Sequence, residues 1–112
     1  MAKQGADVTA LPLSTTVHMI LLALLKGAAH GYAIMQNSAD ISGGTIILGP
    51  ASLYTNLNKC LEAQLIQEVT TGGESSDERR RPYRLTAKGR KVLAAETERL
   101  ASLVAYARKR AK

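Results

Sequence analysis

Two groups of side chains in this sequence carry the chemistry of polyanion contact. Ser52, Thr55 and Lys59 recur at spacings of three and four residues, with Tyr54 and Asn56 between them. In a helix that spacing gathers them on one polar side. Hydroxyl, amide and ammonium groups are the donors and acceptors that phosphates and base edges match. Pro50 stands at the start of the same segment, where a helix leaves backbone N–H groups free for a phosphate. Further on, Arg79, Arg80 and Arg81 form a triplet, followed by Arg84. A basic loop of this kind suits phosphate or minor-groove contact. Taken singly, each group reads equally well as a solvated helix face and a soluble loop.

Catalytic chemistry has much weaker support, and the expectation is that the chain is no enzyme. His18 and His30 have no acid or nucleophile at a recognisable spacing. Cys60 falls on an apolar helix face, where a thiol is structural. Two His and one Cys give no zinc pattern, and Gly43-Gly44 and Gly72-Gly73 match neither nucleotide fingerprint. No cofactor is expected.

Charge is distributed unevenly. Of 112 residues, 15 are Lys or Arg and 9 are Asp or Glu, a net of +6. Residues 1–75 sum to −2 and residues 76–112 to +8. Such asymmetry points to nucleic acid or an anionic surface. A single cysteine makes no internal disulfide. The apolar run Val17 to Leu25 falls far short of the ~20 residues that span a bilayer. The expectations are a cytoplasmic protein without a membrane partner.

The elements that must position these groups follow from apolar spacing. Residues 1–12 read as a flexible N-terminal arm. A first helix is expected over 13–26, apolar nearly all round and so buried on more than one side. Gly31 opens a second helix ending near Gly43-Gly44. Thr45 to Leu48 reads as a short apolar connection with some strand character. Pro50 begins a third helix, about 50–63, with Leu53, Leu57, Cys60 and Leu61 on its buried face. Residues 65–70 and 82–86 form a hairpin with a long polar tip. Thr86 caps a last helix, about 87–111, whose stripe Leu93, Thr97, Leu100, Val104, Ala107, Ala111 is of heptad type. At 1.5 Å per residue that helix is roughly 37 Å long. A second copy is the economical cover for such a seam, with Leu13, Val17, Leu93, Leu100, Val104 and Ala107 as its dimer contacts. The fold expected is mainly α (α+β): a winged helix-turn-helix over 13–86 and a C-terminal dimerisation helix over 87–112.

Several segments resemble the PadR family of bacterial transcriptional regulators. They are Leu21 to Leu25, His30 to Met35, Ser42-Gly43-Gly44, Leu48 to Tyr54, Leu61 to Ile66, Arg79 to Thr86, and Gly89. They occur in the family's order and spacing over about residues 17–100. The resemblance implies a homodimer that binds pseudo-palindromic operator DNA and acts as a repressor. It also implies a third helix in the major groove, a hairpin wing on the backbone, and a C-terminal helix exchanged with the partner's N-terminal helix. Tyr54 resembles the family's tyrosine of the reading helix, and Arg79 to Arg81 its basic wing. On this basis Pro50, Ser52, Tyr54, Thr55, Asn56, Lys59, Arg79, Arg80 and Arg81 are the expected contacts to double-stranded DNA.

Departures from the family's pattern shape the expectations. Gln64 stands where the family commonly has Gly, and a left-handed backbone there is strained. Ala51-Ser52 replaces a more frequent small-Thr pair. Thr55, Asn56 and Asn58 stand where basic residues are common, so Lys59 alone charges the reading helix. Family members often sense a small-molecule effector at the dimer interface. Without Trp or Phe, this chain is poorly provided with an aromatic cage, and no effector is identified from Tyr106 or Met19. The alternative is a dimeric winged-helix protein-interaction module that does not bind DNA.

Overall fold

The structure, a computed structural model, describes residues 7–69 and 81–111. Four helices and a small antiparallel sheet follow in the order α1 (Thr15–Ala23), β1 (Ala29–His30), α2 (Gly31–Ile41), α3 (Pro50–Glu62), β2 (Ile66–Glu68), β3 (Pro82–Leu85), α4 (Ala87–Arg110). The expected architecture of three helices, a hairpin and a long last helix is present.

α1 is the hub, packed against α2, α3 and α4. That position explains why it is apolar almost all round: Val17, Met19, Ile20, Leu21 and Ala23 are all buried. It is shorter than the expected 13–26. Ser14 is its N-cap, with Oγ accepting the Val17 N–H at 3.2 Å. At the other end, Leu24 and Leu25 donate three residues back, to the carbonyls of Leu21 and Leu22, so the chain tightens into a turn before Gly27.

The sheet has three strands, with β3 in the centre, not the two of a simple hairpin. β1 pairs Ala29 with Tyr83 and His30 with Pro82, while β2 pairs Ile66 with Leu85 and Glu68 with Tyr83. Residues 45–48, given some strand character from their composition, form no strand. Leu48 turns into the core, Ile46 is half-buried and Ile47 points to solvent. β1 already occupies the free edge of β3. Most of the hairpin tip lies outside the described residues.

The turn after α3 shows the strain expected at Gln64. Gln64 has φ 64°, and the hydrogen bonds Gln64 N–H to Leu61 O (3.0 Å) and Leu65 N–H to Cys60 O (2.9 Å) define a Schellman ending. α2 ends in the same motif with Gly43 at the left-handed position. A side chain costs about 1 kcal/mol in this conformation. Replacing it with glycine returns part of that as lost unfolded-state restriction. Gln64→Gly is therefore expected to stabilise the chain by up to about 1 kcal/mol in urea unfolding; a lower midpoint contradicts the assignment.

α4 divides into two halves. Leu93 and Glu96 are buried in the domain, whereas every residue from Ala101 to Arg110 is exposed.

Candidate nucleic-acid interface

α3 separates its two faces as its spacing requires. Leu53, Leu57 and Cys60 are buried against the core. Ser52, Thr55 and Lys59 are exposed on the other side. Burial pushes the Cys60 thiol up to about 12, so it stays protonated and unreactive at neutral pH. Asn56 is half-buried, and its amide Nδ2 donates to the Ser52 carbonyl at 2.8 Å.

At the start of α3, Gly49 is the N-cap with Pro50 following, and no acid lies in the first turn. The positive end of the helix dipole there is uncompensated. Tyr54 is half-buried and packs against the core, lying across the start of α2. A Cβ on Gly31 would collide with the Tyr54 hydroxyl and stand 2.9 Å from its Cζ. The His30-Gly31-Tyr32 and Leu53-Tyr54 segments are thus two sides of one contact.

Beside α3 stands the hairpin. Arg84 is exposed on β3. Arg81 Nη1 pairs with Glu68 Oε2 across the hairpin at 3.4 Å, both side chains about two-fifths exposed. Arg79 and Arg80 lie outside the described residues. Lys88 donates its Nζ to the Ala63 carbonyl at 2.9 Å and serves the C-terminal end of α3.

The residues named for the dimer seam are not one set. Leu13, Val17 and Leu93 belong to the chain's own core, at 8%, 1% and 3% exposure. Periodicity identified them as apolar, and their own chain already covers them. Leu100 is half-buried, and Val104 and Ala107 are exposed. Leu103, Val104 and Tyr106 make an apolar surface on distal α4, with the Arg110 guanidinium 4.6 Å from the Tyr106 ring centre. A second apolar opening lies between the ends of α1 and α2, lined by Leu22, Leu25 and Ile41 with Lys26 and Asp40 at its edge.

Glu96, which residue spacing did not single out, is buried at 2% exposure. Its Oε2 accepts the Leu13 N–H at 2.9 Å, and Arg99 holds both carboxylate oxygens, at 2.6 and 3.1 Å. The Arg99 bond draws the carboxyl below its usual range against the opposing effect of burial, and the Leu13 N–H and the charges of Arg99 and His18 add to this. Glu96 is therefore ionised at neutral pH. The signal lay in the sequence as an acid on the apolar stripe, three residues after Leu93 and three before Arg99.

Among the described residues, no group of three His, Cys, Asp or Glu could hold a metal ion, and no helix is long and apolar enough to cross a membrane.

Comparison with known proteins bears on this geometry. The model of the transcriptional regulator PadR-like family matches residues 20–95. An uncharacterised 37.1 kDa protein in a Streptomyces fradiae transposon, Tn4556, is 38% identical over 85 residues, 76% of this chain. The chain spans only 23% of that relative's length. A transcriptional regulator from Clostridium thermocellum superposes with a TM-score of 0.69 at 24% identity, covering 87% of this chain and 90% of that one. Bacillus subtilis PadR, solved with operator DNA, gives a TM-score of 0.63 at 25% identity, covering 75% of this chain and 46% of that one.

Proposed function

The chain belongs to the PadR-like family of transcriptional regulators, and we propose that it works as a homodimeric repressor on pseudo-palindromic operator DNA in the cytoplasm. The observation that carries this reading is the exposed polar face of α3, Ser52, Thr55 and Lys59, set opposite the buried Leu53, Leu57 and Cys60. The Bacillus subtilis relative, held on operator DNA, supports it.

In this reading α3 enters the major groove. Ser52, Thr55, Asn56 and Lys59 meet base edges and adjacent phosphates. The N-terminal end of α3, at Pro50, faces a phosphate. Tyr54 sets its hydroxyl end against Gly31, so it contributes to the DNA backbone contact at the flank of α3 while bracing α3 on the start of α2. Arg79, Arg80 and Arg81 give the wing its charge. A dimer on adjacent major grooves sits where a polymerase must pass, which is the route to repression. A small molecule bound at the dimer interface relieves it by changing the spacing of the two reading helices.

Distal α4 carries the dimer. Of its stripe Leu100, Leu103, Val104 and Ala107, only Leu100 is partly covered by the described residues of its own domain. The opening at Leu22, Leu25 and Ile41 on the partner offers a matching apolar surface, with Asp40 at its edge to receive the basic end of α4.

The test is selection of duplexes from a random-sequence library, followed by titration of the enriched duplex at several salt concentrations. Nanomolar binding that weakens with salt is expected. A chain that enriches no duplex is instead the protein-interaction module. Light scattering is expected to give twice the 12.0 kDa chain mass. Val104→Asp places an unpaired carboxylate in the seam and is expected to give folded monomers; a dimeric Val104→Asp chain moves the interface elsewhere.

A further inference from the structure

The most unusual polar group in the core is the Glu96 carboxylate, and it holds a single backbone N–H from a residue 83 positions earlier. Burying an ion is costly unless it is fully partnered, so what Glu96 holds in place matters. It holds Leu13, the last residue before the α1 N-cap. The segment in front of Leu13 is thereby fixed in direction. Residues 7–10 close into a turn, with the Ala10 N–H on the Asp7 carbonyl at 3.0 Å and the Asp7 carboxylate receiving the Thr9 N–H and hydroxyl at 2.9 and 2.6 Å. Val8 packs on the core.

That turn does not lead away from the molecule. Asp7, Val8, Ala10, Pro12 and Ser14 line one groove of about 400 Å³ together with Asn56 and Lys59 of α3. Asn56 and Lys59 are two of the side chains assigned above to DNA. The segment thus shares a surface with the C-terminal half of the reading helix.

We propose that residues 7–12 are a second DNA-facing element, and that Glu96 is the positioning residue that sets it beside Asn56 and Lys59. The inference rests on the operator reading above. Its chemistry is defined by what the segment contains: Val8, Thr9, Ala10, Leu11 and Pro12 bring methyl, hydroxyl and backbone groups, the Asp7 carboxylate is engaged by Thr9, and there is no cation. It meets sugars and base edges, thymine methyl groups included, at the flank of the α3 footprint. Releasing no counterions, it contributes discrimination between sequences and leaves the salt slope alone.

The experiment uses the duplex enriched by the wild-type chain and a random-sequence duplex of equal length, each titrated with wild type, Glu96→Ala and Val8→Ala. Circular dichroism gives the folded fraction at the binding temperature. Val8→Ala loosens the segment without opening the buried carboxylate site, so it reads the segment even where Glu96→Ala folds poorly. Both variants are expected to lose selectivity, Glu96→Ala by about tenfold and Val8→Ala by a few-fold, a mismatch-sized effect. Affinity for the random duplex and the salt slope stay at the wild-type values. Equal losses on both duplexes reveal a merely structural Glu96, and no loss on either removes the segment from the interface; each result overturns the proposal. A wild-type chain that enriches no duplex overturns the operator reading and this inference together. Enrichment by wild type beside variants of unchanged selectivity overturns this inference alone.

Discussion

Gly89→Ala is expected to destabilise the fold by about 3 kcal/mol, a large share of the 5–15 kcal/mol that holds a domain of this size together. The added Cβ would collide with the Leu65 carbonyl oxygen and stand 3.0 Å from the carbonyl carbon. The obstacle is backbone, not the yielding end of a side chain. That carbonyl also accepts the Thr86 N–H at 3.0 Å. Three further bonds lock the same junction: Thr86 Oγ1 to the Gln64 carbonyl at 2.7 Å, Gly89 N–H to Thr86 Oγ1 at 2.9 Å, and Lys88 Nζ to the Ala63 carbonyl at 2.9 Å. To admit the methyl group, the first turn of α4 must lift away from the end of α3, and several of these bonds lengthen together. The melting temperature is expected to fall by roughly 10 °C or more. Gly49→Ala is the control, since a Cβ there has nothing within 4 Å. If the two variants melt alike, close packing at Gly89 is not what holds α4 to the end of α3.

The parts of this fold legible in the sequence are those in which a local signal agrees with the tertiary demand. Pro50 and the spacing of Leu53, Leu57, Cys60 and Leu61 gave α3 its boundaries within a residue and its inward face, with Leu61 half-buried at the edge of it. Thr86 caps α4 as its hydroxyl allows, and Gln64 is left-handed because the Schellman ending requires it whatever residue stands there. Non-local structure beyond the hairpin was not legible. β1 is two residues long, too short for periodicity, and exists only because Tyr83 and Pro82 lie alongside. Ile46, Ile47 and Leu48 have the composition of a strand, but β1 holds the place beside β3. Leu13, Val17 and the α4 stripe from Leu93 were recognisably apolar, yet spacing does not say whether the cover is the chain's own core or another copy. Glu96 was missed because an acid in an apolar stripe reads as a flaw until its partner, a backbone N–H across the fold, is known.

Replacing Arg79, Arg80 and Arg81 together by alanine is expected to weaken operator binding on the order of a hundredfold near 0.1 M salt. α3 carries one cation, Lys59, so the wing must supply much of the phosphate attraction. Every phosphate that the protein ceases to neutralise lowers the slope of log K against log salt by about 0.9. The fall expected here is nearer that of two phosphates than of three. Arg81 already faces Glu68 at 3.4 Å, and a cation partly neutralised by its own carboxylate displaces fewer counterions from DNA. The companion variant Glu68→Gln separates the contributions. It frees Arg81, so it should tighten binding and steepen the slope, and the gain should vanish when Arg81 is also alanine. Arg81 and Glu68 are both well exposed, and melting temperatures close to wild type are the control that excludes a folding explanation. Wild-type affinity with an unchanged slope in the triple alanine would remove the wing from the interface. A slope reduced by the full share of three phosphates, with Glu68→Gln inert, would mean that Arg81 leaves Glu68 on binding and that the pair seen in the free chain is a resting arrangement which DNA displaces.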